Sequence, residues 1–454
     1  MRIHLSSPLK VEEIASALGS RDINIHSKKQ IEYITTDTRE LIPGDLFIPI
    51  KGEHFDGEDF VCKAISLGAY TVSERESAAH IKVPKSTKTI SSLANYYRRK
   101  KLTPQHIIGI TGSVGKTTTK EFLKIICEVK NKTHATTGNF NNTIGLPMTL
   151  LSAPKDSEII VCEMGMNRKG EISELSKTAL PTLSIITKIG TAHIGRLGSR
   201  EAIAEAKLEI LDGMSDKKLI APYGEPLLGE FASLTFSTSE PAADLYLHNH
   251  SNIVTAFLGG EKVLESVFKP HGKHNAECLC AAIGAALAIG IEPKHIKLGV
   301  SLISEENTRQ SLFKIGNISI LDDAYNSSED SVKADLKMLF EDNNYKYKSA
   351  VLGAVLELGE HSYEIHRRIG CSAAKAGLSN LFLVGEETKA VADGAIGSGF
   401  PKENIHYNPD ENSLSETALA IKNRCNAGEM ILLKGSHRLR LWRLVQELKI
   451  IYGE

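Results

Sequence analysis

The residues best suited to chemistry lie in the run Gly109–Thr119, GITGSVGKTTT. A glycine-rich turn between a strand and a helix aims backbone N–H groups, and the positive end of the helix, at a phosphate. Thr111, Gly112, Ser113, Val114, Gly115, Lys116, Thr117 and Thr118 would then surround a nucleotide's phosphates. Lys116 would reach the β- and γ-phosphates, and the Thr117 hydroxyl would ligate Mg²⁺. The spacing is T-G-x-x-G-K-T from Thr111 and not the commoner G-x4-G-K-T, because Ile110 stands five residues before Gly115. A phosphate loop also needs metal ligands, usually carboxylates at strand ends. Glu163 follows the apolar run Ile159-Ile160-Val161-Cys162, and His193 follows LSIITKIG, so successive strands would deliver both to one sheet edge. Lys207, within EAIAEAKLEIL, reads by itself as a residue of a solvated helix face.

The elements that must position these groups follow from the alternation of short apolar runs with helical stretches. His106 opens a buried strand that enters the glycine-rich turn, and KTTTKEFLKIICEVK continues as a helix. Ile159–Cys162 and Leu183–Thr187 are further strands, with Arg200–Leu211 helical. This order predicts a mostly parallel sheet covered by helices. A second strand–helix series runs from ISILDDAY near Ile318 to EMILLKGS and the amphipathic RLRLWRLVQELKI. Before the phosphate loop, strand-like Asp45–Ile50 and turn signals at Pro43-Gly44 and Asp56-Gly57 precede a basic-ended helix, Ser91–Leu102, that stops ahead of Pro104. At 454 residues, and about 150 residues per domain, the chain is expected to form three α/β domains: 1–100, 101–311 and 312–454.

A net charge of −1 excludes a global basic field for nucleic acid or anionic membrane. The longest apolar run, Cys278–Ile291, contains internal glycines and falls short of the ~20 residues that span a bilayer. The first twenty residues have no apolar signal core, so a cytoplasmic location is expected. The seven cysteines are scattered, and Cys278-x-Cys280 has no adjacent histidine pattern that would make a zinc site.

Taken together, the motifs resemble the Mur ligases, the ATP-dependent amino-acid-adding enzymes of peptidoglycan synthesis. Thr36-Asp37-Thr38-Arg39 followed by PGDLFIPIKGEHFDGEDF is similar to a uridine-nucleotide domain of that family. TGSVGKTTTKEFL, TTGNFNNTIGLPMTLL, Glu163-Met164-Gly165, AHIGRLGSREAIAEAKLEI, HGKHNAE, LDDAYN, LELGEHSYEIHRRIG and LLKGS keep the family's order across the whole chain. The resemblance implies a uridine-nucleotide domain, a central P-loop ATPase domain and a Rossmann-like C-terminal domain. It implies that Lys116 binds ATP phosphates and that Thr117, Glu163, His193 and a carbamylated Lys207 surround two Mg²⁺ sites. It places Asn141 and Asn142 near the uridine-diphosphate substrate and the reaction centre, with Lys116, Asn142, His193 and Lys207 as the catalytic set. Asn275, Arg309 and Asp323 match positions that meet adenine, phosphates and ribose. The expected substrates are UDP-MurNAc-tripeptide and D-Ala-D-Ala, joined through an acyl phosphate by a monomer. Glu357 and His366 are further candidates for contacting the dipeptide, with a plain helix-surface role as the alternative.

The chain departs from the family pattern at Lys188, commonly Asn, and at Ser328 and Glu329, where an Asn and a Pro are lost. Ala354 replaces an Asp, and Cys278 replaces the second Asn of H-N-x-x-N. None of these touches Lys116, Glu163, His193 or Lys207. The departures bear on the adenosine pocket and the amine acceptor, so two rivals remain: a paralogue with another acceptor, and a non-catalytic pseudo-ligase.

Overall fold

A computed structural model describes residues 2–25, 30–52, 55–75, 80–308 and 310–454. Three sheets follow one another along the chain. The first has the order Arg2–Leu9, Ile31–Thr35, Leu46–Phe47, Tyr70–Ser73, His80–Lys82, Ile23–Asn24, parallel through its middle and antiparallel at both edges. The expected strand at Asp45–Ile50 is only the pair Leu46–Phe47.

The central sheet has nine strands. Seven are parallel, in the order Thr133–Ala135, Ile159–Glu163, His106–Thr111, Leu183–Ile186, Leu219–Pro222, Leu234–Ser237, Leu245–His250. Ile253–Leu258 and Glu261–Val267 extend it as an antiparallel edge absent from the sequence reading. That edge carries exposed polar residues such as Glu261, Lys262 and Glu265, which mask its strand pattern. The strand His106–Thr111 lies between Ile159–Glu163 and Leu183–Ile186, in the middle of the sheet, so its carboxyl end opens onto a crevice walled by two neighbours.

The third sheet orders Ser311–Ile315, Ile318–Asp323, Met430–Lys434, Lys348–Gly353, Asn380–Val384 and Ile405–Asn408, with only the first strand antiparallel. Its central strands are buried along their whole length, as expected of a parallel sheet covered on both faces.

The first two sheets share one apolar core. The helix Thr89–Lys100 buries Ile90, Leu93, Ala94 and Tyr97 on one stripe, and these belong to a single cluster that continues through Leu146, Leu150, Ile172, Leu175 and Ile210. Polar groups sew the same seam: Ser6 Oγ donates to Ala153 O (2.8 Å), Ser91 Oγ to Glu174 (3.0 Å) and Asn95 Nδ2 to Lys177 O (2.7 Å). The third sheet has separate cores on its two faces. Among the described residues no helix is long and apolar enough to cross a membrane, and all seven cysteines are free.

Candidate active site

The phosphate loop forms where expected, between the strand His106–Thr111 and the helix Lys116–Glu128. Two glycines are required by geometry. Gly112 has φ +150°, and a Cβ there would lie 1.9 Å from Thr187 Oγ1. Gly115 has φ +82°, and a Cβ there would lie 2.9 Å from Cys278 Sγ. Thr187 pins the loop from the next strand, its hydroxyl donating to Val114 O (2.5 Å), while Gly190 N donates to Ser113 Oγ (2.9 Å). Lys116 Nζ folds back and donates to Gly112 O (2.8 Å), arching over the loop it would share with a phosphate.

Glu163 sits opposite Ile110 in register, one position before the loop, and is fully buried. Its Oε2 accepts from Thr117 Oγ1 (2.7 Å) and its Oε1 from Asn141 Nδ2 (2.7 Å). The two metal-ligand candidates thus hold each other, and Asn141 rather than Asn142 faces them. Asn142 is exposed, and its Oδ1 accepts from Ile144 N and Gly145 N (3.1 and 2.8 Å) at the start of the helix Gly145–Ser152.

His193 precedes the short helix Ile194–Leu197, in left-handed backbone with φ +65°. Its Nδ1 hydrogen-bonds Glu357 Oε2 (2.7 Å), leaving Nε2 for another ligand. Burial lowers the His193 pKa and Glu357 opposes that shift, while the positive charges of Lys116 and Lys207 lower it further.

Lys207 corrects the residue-level reading of a solvated face. It is 2% exposed and makes no hydrogen bond or ion pair to another described residue. Burial, then repulsion by Lys116, pushes its ammonium well below the ordinary 10.5. A buried amine with a depressed pKa is partly neutral and nucleophilic. Lys116, His193 and Lys207 therefore share one electrostatic neighbourhood at the end of the phosphate loop.

Among the described residues no three His, Cys, Asp or Glu side chains gather as a cluster. That donor set fits Mg²⁺, which is held by one or two carboxylates plus substrate phosphates and not by an all-protein cage. Thr117, Glu163 and His193 would hold it here.

Facing the loop is a cavity of about 750 Å³ whose walls come from both the central and the C-terminal lobes, including Lys116, His193, Asn275, Asp323, Glu357 and Lys434. That is ample for a nucleotide. Asn275, on the buried helix Lys273–Ala288, donates from Nδ2 to His271 O (2.6 Å) while lining the cavity. Asp323 accepts from Lys434 Nζ (2.5 Å), and Asp335 Oδ2 lies 3.1 Å from the same nitrogen. Burial and the adjacent Asp323 raise Asp335 to about 8, against the pull of Lys434. Sequence reasoning missed Asp335 and Lys434. The available signals were a carboxylate on the apolar stripe Val332, Leu336 and Leu339, and a lysine closing the run MILLK. Arg309 lies outside the described residues, as do Glu53 and His54 of the N-terminal motif.

The departures acquire contacts. Lys188 pairs with Asp330 (3.2 Å), joining the central lobe to the helix Glu329–Glu341. Ser328 caps that helix through Ser331 N (3.3 Å). Ala354 is buried in apolar packing, and Cys278 Sγ donates to Gly115 O (3.6 Å). His366 is also buried: its Nε2 accepts from Val355 N (3.0 Å), a scaffolding role and not a surface one.

Three family models match the chain in sequence: the Mur ligase family catalytic domain over 30–102, the Mur ligase middle domain over 110–286, and the Mur ligase glutamate ligase domain over 308–437. The chain is 36% identical over 431 residues to the UDP-N-acetylmuramoyl-tripeptide–D-alanyl-D-alanine ligase of Bacillus subtilis, covering 92% of this chain and 93% of that one. It is 33% identical to the Synechocystis enzyme of the same name, over 94% and 93% of the two chains. Among solved structures it resembles a MurF from Acinetobacter baumannii (TM-score 0.88, 26% identity, 99% and 100% covered). It also resembles the MurF ligase of Thermotoga maritima in complex with ADP (TM-score 0.81, 25% identity, 92% and 97% covered).

Proposed function

The chain belongs to the Mur ligase family, and from that premise we propose that its cavity joins D-Ala-D-Ala to UDP-N-acetylmuramoyl-tripeptide, using ATP and releasing ADP and phosphate. One observation carries the reading: the phosphate loop, with Thr117 bound to Glu163, faces Asp323 of another lobe across a single cavity.

The chemistry follows from what an amide bond requires. A carboxylate is a poor electrophile, so the tripeptide carboxylate attacks the γ-phosphorus, ADP departs, and an acyl phosphate results. The dipeptide amine then attacks the acyl carbon and phosphate leaves. Lys116 and the loop amides offset the repulsion between carboxylate and triphosphate. Thr117, Glu163 and His193 would hold Mg²⁺, which when bound would neutralise phosphate charge and polarise the transferred group. Asp323 accepts from the ribose hydroxyls, and Asn275 lines the adenosine side of the cavity. The unpartnered, charge-depleted amine of Lys207 supports its carbamylation, which would turn a buried cation into an anionic ligand. The lobes 1–100, 101–311 and 312–454 hold the nucleotide sugar, ATP and the amine, and their closure excludes water from the acyl phosphate. The reaction consumes ATP and so belongs in the cytoplasm, where ATP is supplied.

The test is phosphate release from Mg-ATP with UDP-MurNAc-tripeptide, offering D-Ala-D-Ala against single amino acids, with Lys116→Ala as control. Release that needs both substrates and gives the pentapeptide mass is expected. Turnover with another amine only would overturn the acceptor, and ATP binding without turnover would leave a pseudo-ligase.

A further inference from the structure

The contact that joins His193 to the C-terminal lobe is built with unusual care. Glu357 Oε2 meets His193 Nδ1 at 2.7 Å and Glu357 Oε1 accepts from Arg196 at 2.7 Å, while Glu357 O accepts from Gly195 N at 3.1 Å. Three groups of one central-lobe segment, His193 to Arg196, are therefore satisfied by a single residue of another lobe.

The backbones on both sides are shaped for it. Six non-glycine residues among those described have positive φ, and two of them are the partners themselves, His193 and Glu357, each at +65°. Conformations of this kind persist where surrounding structure over-determines them, and they collect at functional sites. The two segments also abut closely: a Cβ on Gly195 would lie 2.5 Å from Gly359 N and 2.6 Å from Glu357 O. The loop presenting Glu357 is fixed from within its own lobe, since Val355 N donates to His366 Nε2 (3.0 Å) and Leu356 N to Ser436 Oγ (2.9 Å).

We propose that Glu357 is a positioning residue that acts through His193: seated with the C-terminal lobe, it accepts the hydrogen bond from Nδ1–H, fixes the ring's tautomer and leaves Nε2 for the metal. A metal-ligating histidine ordinarily gives its other N–H to a carboxylate or carbonyl, and that partner tunes its basicity. Here the partner arrives from a different lobe, so metal affinity and docking of that lobe are one coupled equilibrium. This rests on the reading of His193 as a metal ligand.

Mn²⁺ binding in the presence of ADP, followed by loss of the free-ion electron paramagnetic resonance signal, tests it without turnover. Compared are the full-length wild type, Glu357→Ala, Glu357→Gln and Gly195→Ala. Outer-shell carboxylates are worth about 10- to 100-fold in metal affinity, so Glu357→Ala should lose that much. Glu357→Gln should lose less, because its amide oxygen still accepts from Nδ1–H. Gly195→Ala keeps both side chains but blocks the approach of the lobes, and should lose affinity like Glu357→Ala. Equal Mn²⁺ affinity in all four proteins would overturn the proposal. So would a loss in Glu357→Ala that Glu357→Gln does not partly restore, which would indicate packing alone. If the wild type itself fails to bind Mn²⁺, the metal site falls and the proposal with it, whereas wild-type binding with an unchanged Glu357→Ala removes only the positioning role.

Discussion

Replacing Lys207 by Met should make this chain more stable and inactive at once. Lys207 is buried without a partner among the described residues, and its ammonium is disfavoured by burial and by Lys116. In the unfolded chain its pKa is near 10.5. Whatever the extent of that lowering, the cost at pH 7 cannot exceed the 3.5 pH units between 10.5 and 7, a ceiling of about 5 kcal/mol at about 1.4 kcal/mol per unit. Methionine has similar length, keeps the helix and owes no such penalty. The sign follows from proton counting. A base with a lowered folded pKa binds fewer protons folded than unfolded, so wild-type stability climbs with pH until about 10.5. Lys207→Met lacks that slope, so its advantage should be larger at pH 7 than at pH 9.5. The assay is denaturant unfolding in CO₂-depleted buffer at pH 7 and 9.5, repeated with bicarbonate. Carbamylation consumes the neutral amine that only the folded state offers, so bicarbonate should stabilise the wild type and leave Lys207→Met unchanged. Phosphate release should disappear in the variant throughout. A variant no more stable than wild type at pH 7, or an advantage that does not change with pH, would refute the reasoning.

Lys434→Met should leave Asp323 and Asp335 buried beside each other without their cation, costing about 3–5 kcal/mol in the urea midpoint of the C-terminal lobe. That loss should ease as pH falls, because Asp335, raised by burial and by Asp323, holds its proton still more firmly without Lys434, and a loss under 1 kcal/mol would contradict it. Gly112→Ala should weaken ADP binding by calorimetry at least tenfold, because a Cβ there runs into Thr187 Oγ1 in a backbone conformation that favours glycine. Adding Thr187→Ala should recover part of the affinity, and full affinity in the single variant would show that the loop tolerates a side chain. Asn141→Ala should cost more turnover than Asn142→Ala, since of the two only Asn141 bonds Glu163; the reverse order in phosphate release would restore Asn142 to the reaction centre.

The part of the site legible in the sequence was the part that is local. Gly112, Gly115, Lys116 and Thr117 act within one turn between a strand and a helix, so residue types and spacing specify them. Glu163 and His193 were legible as strand-end residues because strand ends at one sheet edge converge. Lys207 was legible only through the family resemblance, because its helix is amphipathic in the ordinary way and only the folded packing decides that this lysine lies inside. Asp335 was hidden, and Glu357 was read as a candidate for the dipeptide and not as the partner of His193, because their partners lie 99 and 164 residues away along the chain. The antiparallel strands Ile253–Leu258 and Glu261–Val267 escaped because half their side chains face water.

The apolar core shared by the first two sheets governs how the reaction can be timed. Sliding one of those lobes on the other would tear the cluster joining Leu93 and Tyr97 to Leu150 and Leu175, so they move as one stator. The C-terminal lobe meets that stator largely through polar and charged contacts such as Lys188 with Asp330 and Arg196 with Glu357, which part and re-form readily. A ligand held by the first lobe would then keep its separation from the phosphate loop, and it is docking of the third lobe that would bring the Glu357 carboxylate behind His193.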